Sequence, residues 1–433
     1  MRIDIKNTQN MKKALIIILT CTTGGAFAQT APGELKTLVQ QSFSHFTQIK
    51  AMETQQRIAA DQTTLAKTSR LPEVSGTATY SHVYPVPKVQ LPGSDFTFQP
   101  VPSENINAGI EARQLLLDFG KSGSQIRKSQ AQAGLLGVQT AEAREELAYQ
   151  VANVYLNITF LQDNIAVQDA NIHLLEETET MVENKLKHGD AIDLDLINTR
   201  VKLESYRNKK VDFTNSLQKQ LAALEYLTGE QLKDSVHSDF AWAIPPAEDF
   251  DHNAAMRTSL EKEKVAETGI DIAKAQYKPS LFLNAGTGFK NGYLPEITTP
   301  KFNYYAGVSL SVPIYNGKKL RIQEHMAATE AEIAKLHTQD VKESLKKEAA
   351  QQNADLSAGR ERLQTAEVLL QQANRALTLA QSRYRNGVIT YLDLQNAQTS
   401  LLEAQLSKIQ YQYQLSLAGL ELMHLSGQEF WKQ

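Results

Sequence analysis

Two stretches of this 433-residue chain follow one plan. HGDAIDLDLINTRVKLE (188–204) and NGVITYLDLQNAQTSLLEAQ (386–405) align at an offset of 198 residues, which superimposes Gly189 on Gly387, Asp195 on Asp393 and Asn198 on Asn396. Ahead of each stretch apolar residues recur at steps of three and four. The first run includes Leu147, Val151, Ile158, Leu161, Leu175, Val182 and Leu186; the second, at the same offset, includes Leu345, Ala349, Leu356, Leu377, Ala380 and Tyr384. That is the heptad seam of a coiled coil. It predicts helices over 124–186 and 318–385. The first would be about 95 Å long at about 1.5 Å per residue, so no small globule can cover it and it must lie along equally long neighbours.

The helix ends are legible. Lys185, Lys187 and His188 precede Gly189, and Arg383 and Arg385 precede Gly387, as at a helix C-terminus. Thr390 with Asp393 fits a capping box that restarts the chain as a helix. The tips are therefore tight hairpins over 187–192 and 386–390, followed by returning helices over 193–228 and 391–427. Gly189 and Gly387 serve a positive backbone angle there, and Asp195 and Asp393 offset the dipole of the helix that follows.

The repeat extends further. LEYLTGE (224–230) answers LMHLSGQ (422–428), and segments near 107–133 answer 305–328. A period near 198 is too long for a solenoid. It predicts a whole-domain duplication: a first repeat over 29–232, a join over 233–253 marked by Pro245-Pro246, and a second repeat over 254–433. Each repeat also carries a strand pair, over 73–118 and 279–314. Phe302, Tyr304, Ala306, Val308, Leu310, Val312 and Ile314 alternate with polar or small residues, and Ile106, Ala108, Ile110 and Ala112 alternate with Asn107, Gly109, Glu111 and Arg113. Strands of about 9–11 residues with one apolar face can span a membrane. Four strands cannot close a barrel, and an open sheet in lipid leaves backbone groups unpaired. Either several chains share one barrel, with Glu111 and Arg113 turned to its lumen, or the apolar face is covered in a soluble protein.

The N-terminus bears on the choice. Lys12 and Lys13, an apolar run over 14–19, and Ala26 and Ala28 form a secretory signal layout over 1–28, with the residues ahead of Met11 expected to be an over-extended start. A short buried apolar segment is the alternative. The one cysteine, Cys21, falls inside this segment and fits a lipidation site poorly. A net charge of −3, with no Lys/Arg-rich run, does not suggest nucleic acid. The nine histidines form no HExxH pair, and no P-loop or G-x-S-x-G occurs, so the reading contains no metal, cofactor or catalytic site.

SRLPEVSGTATYSH, LLLDFGKSGSQI, SVPIYNGKKL, NGVITYLDLQNAQTSLLEAQ and ELMHLSG, in duplicated order behind a signal, resemble the TolC-type outer membrane efflux proteins over nearly the whole chain. The resemblance implies an α+β membrane protein: a homotrimer with a shared 12-stranded transmembrane β-barrel, continuous with a periplasmic α-helical tunnel. It implies a belt holding the join and the residues past Gly427. It also implies tips at Gly189, Asp190, Gly387 and Val388 that dock a periplasmic adaptor (membrane fusion) protein linked to an inner-membrane pump. Asp393, with Asp195, Asn198 and Asn396 nearby, would narrow the periplasmic entrance; Asn396 stands where the family carries an acid, which weakens one acidic ring. The function implied is a passive outer membrane duct of a tripartite efflux or type I secretion system. The alternative is a soluble periplasmic coiled-coil scaffold without transport.

Overall fold

A computed structural model describes residues 33–231 and 250–432, except 91, 94 and 96. The signal over 1–28, Cys21 and most of the join lie outside the described residues. Two short helices, α1 (Gly33–His45) and α2 (Thr47–Thr68), lead into strand β1 (Glu73–His82). A two-residue hairpin, β2 (Val89–Gln90) and β3 (Thr97–Phe98), precedes β4 (Glu104–Leu117). Helix α3 (Lys121–Lys187) and its return α4 (Asp193–Thr228) complete the first half. The second half repeats the plan: α5 (Ala254–Ala275), β5 (Ser280–Lys290), β6 (Lys301–Ser311), α6 (Lys319–Arg385) and α7 (Tyr391–Leu425).

The two 67-residue helices are each about 100 Å long. Every seam residue named above is buried except Leu186, which is half-buried. Asp118 starts α3 by accepting the Gly120 and Ser122 amides at 3.0 and 2.6 Å, satisfying donors that a helix N-terminus leaves unpaired. In the half next to the sheet the helices lie in the order α2–α3–α5–α6; toward the tips the order is α4–α3–α7–α6. Between these zones the largest core cluster gathers Leu35 and Val39 of α1, Tyr155 and Ile158 of α3, Leu224 of α4, Leu420 of α7 and the C-terminal Phe430 and Trp431. The residues past Gly427 therefore fold back onto the waist of the bundle.

The four long strands form one antiparallel sheet, β1-β4-β5-β6. The strand expected to run to Ile314 stops at Ser311, because Pro313 has no amide to donate to a ladder. Directly paired residues point to the same side of a sheet. The register Ala78↔Ala108, Ala108↔Phe289 and Phe289↔Phe302 thus collects an apolar face with Tyr80, Ile110, Leu283, Tyr304, Val308 and Leu310. The opposite face is mostly polar or small, with Leu115, Phe282 and Tyr305 as its large members. Among the described residues no helix covers the apolar face: Tyr80, Tyr304 and Val308 are 69%, 79% and 62% exposed. That exposure does not favour a soluble sheet buried against its own helices.

Candidate functional site

Two regions carry the candidate residues: the polar face of the sheet and the tips of the helical hairpins. The wall of the sheet begins with Thr77↔Gly109, Gly109↔Gly288 and Gly288↔Asn303, a row with little side-chain volume. Glycine is required in that row, since a Cβ on Gly288 would lie 2.3 Å from the Ala108 carbonyl oxygen. One row along, Ser75, Glu111, Gly286 and Tyr305 are aligned, and the Tyr305 ring lies against Gly286 where a Cβ would stand. Next comes Arg113, opposite Glu73, with its guanidinium 4.2 Å from the centre of the Phe282 ring. Glu111 and Arg113 are thus on the polar face.

The tip end of the helices is built from two matching turns. Asp190 and Val388 donate their amides to the carbonyls of Lys185 and Arg383, both at 2.9 Å, and Gly189 and Gly387 donate to Leu186 and Tyr384 at 3.1 and 3.0 Å. This is the Schellman closure of a helix end, and φ is +80° at Gly189 and +72° at Gly387. The capping box after the second turn is complete. Thr390 Oγ1 accepts the Asp393 amide at 3.2 Å, and Asp393 Oδ2 accepts the Thr390 amide at 3.0 Å and its hydroxyl at 2.7 Å. The Thr390 hydroxyl and then its backbone N–H hold the Asp393 carboxyl below its ordinary value. After the first turn the box is one-sided: Asp195 reaches the Ile192 amide at 3.5 Å, but Ile192 has no side-chain acceptor to offer in return.

The two aspartates have different surroundings. Asp393 and Asn396 are exposed on α7, in a stripe with Ser400 and Glu403 at helical spacing. Asp195 and Asn198 are half-buried on α4. Asp195 lies near Tyr384, whose phenol is pushed up to about 12 by burial first and by that carboxylate second. The Tyr384 hydroxyl has no hydrogen-bond partner among the described residues. The Lys185 ammonium lies 5.4 Å from the centre of its ring.

Polar contacts join the first hairpin (α3, α4) to the second (α6, α7). Gln398 donates to Thr178, Thr199 to Tyr391 and Asn171 to Gln405, all at 2.8 Å, and the Lys202 ammonium donates to Thr399 at 2.5 Å. Burial pulls the Lys202 ammonium below its usual value, and the Glu403 carboxylate partly opposes that shift. The sequence reading missed Glu403 and these clasps. The stripe Asp393–Asn396–Ser400–Glu403 was available as a signal for the first; the clasps join residues too far apart in the chain to be paired from sequence.

A membrane-spanning sheet wall carried on a tube of long helical hairpins defines an outer membrane channel. Residues 38–230 and 250–428 match the outer membrane efflux protein family, and the chain belongs to it. It is similar to the outer membrane protein TolC of Vibrio cholerae, at 22% identity over 95% of this chain and 94% of the relative. It is also similar to the pyoverdine export outer membrane protein OpmQ of Pseudomonas aeruginosa, at 24% identity over 90% and 83%. The crystal structure of VceC from Vibrio cholerae shares the fold, with a TM-score of 0.78, 20% identity, and coverage of 92% of this chain and 97% of that one. The protein is an efflux channel of the outer membrane that extends into the periplasm.

Proposed function

We propose that three copies of the chain close one 12-stranded barrel and one helical tunnel, forming a passive duct whose energy comes from a partner pump. The observation that carries this is the bare sheet. It is apolar on one side and polar on the other, and β1 and β6 end it with unpaired edges. In lipid each unpaired backbone group costs several kcal/mol, so the edges must meet those of other copies. Two chains would give eight strands, whose interior side chains fill; three give twelve and leave room for a path. Glu111 and Arg113 then line the lumen, and Asp393 with Asn396, backed by Asp195 and Asn198, rings the periplasmic entrance.

The tips are the docking points for a periplasmic adaptor that links the duct to an inner-membrane pump. Around Gly189, Asp190, Gly387 and Val388 the side chains of Ile192, Leu194, Val388 and Leu392 stand exposed, an apolar group at the far end of a water-facing structure. The clasps between hairpins narrow the entrance, and their parting widens it. Conductance of the purified protein in a planar bilayer tests the duct. Discrete channel openings are expected; a preparation that inserts without conducting would sink the proposal.

A further inference from the structure

The register places Thr79, Asn107, Lys290 and Lys301 in one row at the loop end of the sheet, on the polar face. Two lysines therefore stand directly opposite each other on neighbouring strands, an arrangement that is unfavourable by itself. Neither is in an ion pair among the described residues. Arg113, toward the other end of the same face, has an acid, Glu73, opposite it in the register and lies over the Phe282 ring. Two acids stand on the neighbouring strand and loop. Glu104 lies on the apolar face, bound to Tyr80 and His82, and Glu296 in the 291–300 loop accepts the Thr299 hydroxyl.

We propose that Lys290 and Lys301 form a cationic collar at the outer mouth of the duct that binds dissolved polyvalent anions. The collar rests on the shared-barrel reading above. Three copies bring six ammonium groups around one lumen. With strands about 4.8 Å apart and tilted about 40°, a 12-stranded barrel is roughly 24 Å across. Side chains narrow it further, and the Debye length is about 8 Å at physiological salt, so the fields from opposite walls overlap. Lysine suits the task as a compact charge with three donors, able to meet anionic oxygens from several directions. Glu111 lies four residues deeper along β4, about 14 Å at about 3.4 Å per residue, and supplies three carboxylates below the collar. A positive mouth above a negative throat makes the current rectify.

The test uses the full chain in a planar bilayer, with inorganic tripolyphosphate as the probe. Added at the side carrying the 83–103 and 291–300 loops, it is expected to block the wild-type current. The pair Lys290→Gln and Lys301→Gln should weaken the block by about tenfold or more and shift the reversal potential in a KCl gradient toward that of K⁺. The pair Lys290→Arg and Lys301→Arg should retain the block, which separates loss of charge from damage to the barrel. At about 1 M KCl, where the Debye length is about 3 Å, the wild-type block should fade. A double-glutamine channel with unchanged block and unchanged reversal potential overturns the collar and leaves the duct standing. A wild-type chain that forms no channel overturns both.

Discussion

Glycine at the tips and glycine at the waist do different work, although both sit at positive φ. A Cβ added to Gly387 would meet nothing within 4 Å, so its only demand is the backbone angle of +72°. Gly387→Ala is expected to cost about 1–2 kcal/mol, the usual penalty of a left-handed alanine, and to lower the melting temperature of a channel that still assembles. At Gly427 a Cβ would lie 2.2 Å from the His252 carbonyl oxygen, so Gly427→Ala must displace backbone. Loss of the assembled particle in detergent is expected there, and a normally assembled Gly427→Ala protein would show that the waist is looser than drawn. Asp393 raises a question of charge. Its carboxyl is held below the ordinary 3.8 by Thr390. A depressed value means that the stabilising contact is present above the ordinary carboxylate pKa and is lost as pH falls through the folded one. With Asp393 at the entrance as proposed, a cation preference there should persist from neutral pH down to about pH 4 and be lost only in stronger acid. Asp393→Asn should remove that preference at every pH, and Asn396→Asp should increase it, both read from reversal potentials.

Hairpins and strands were legible in the sequence to the extent that their partners are periodic or close by. Leu147 and Val151 on α3, and Leu377 and Ala380 on α6, announce a seam because steps of three and four bring each pair onto one face of its helix. Phe302 to Leu310 announce two sheet faces because a strand alternates with period two. The β2–β3 hairpin lay hidden in a proline-rich loop of two-residue strands. Gln398, Thr178, Asn171 and Gln405 read as ordinary helix polar residues, since their bonds span 220 and 234 residues of sequence. The row Thr79–Asn107–Lys290–Lys301 was invisible for a related reason: it exists only once pairing across two loops fixes the register. Two predictions belong at this scale. Ser309→Cys should react with a membrane-impermeant maleimide, whereas Val308→Cys, on the apolar face, should not; the reverse pattern would turn the sheet inside out. Tyr391→Phe removes the acceptor of the Thr199 bond between hairpins, worth about 1 kcal/mol. Because α6 and α7 keep their own seam, melting should change little while mean conductance rises; unchanged conductance would exclude this clasp from narrowing the entrance.

One copy of this molecule is a strip of wall with raw margins on every layer. The sheet ends in β1 and β6; the tube beneath it ends in α2 and α6. Those marginal helices carry apolar stripes with no partner in the same chain: Ile58 and Leu65 on α2, and Ile322, Met326, Ile333 and Leu336 on α6. Each stripe follows helical spacing, so it is a face prepared for another helix rather than scattered surface hydrophobes. The stripe on α2 of one copy and the stripe on α6 of the next continue the α2–α3–α5–α6 order, just as a β1 edge continues after β6. In the proposed trimer, closure at the sheet and closure at the tube are one event, and weakening the tube margin should open the barrel above it. The double substitution Ile333→Lys and Leu336→Lys places six cations on the three α6 margins without touching a strand. The expected result is a detergent particle of one chain in place of three, with no channel activity in a bilayer. Far-ultraviolet circular dichroism should stay helical, because both side chains are already exposed in the single chain and its own seams are untouched. A double-lysine protein that remains a trimer and still conducts would separate the two closures, and the margin of the tube would then have to be sought elsewhere than on α6.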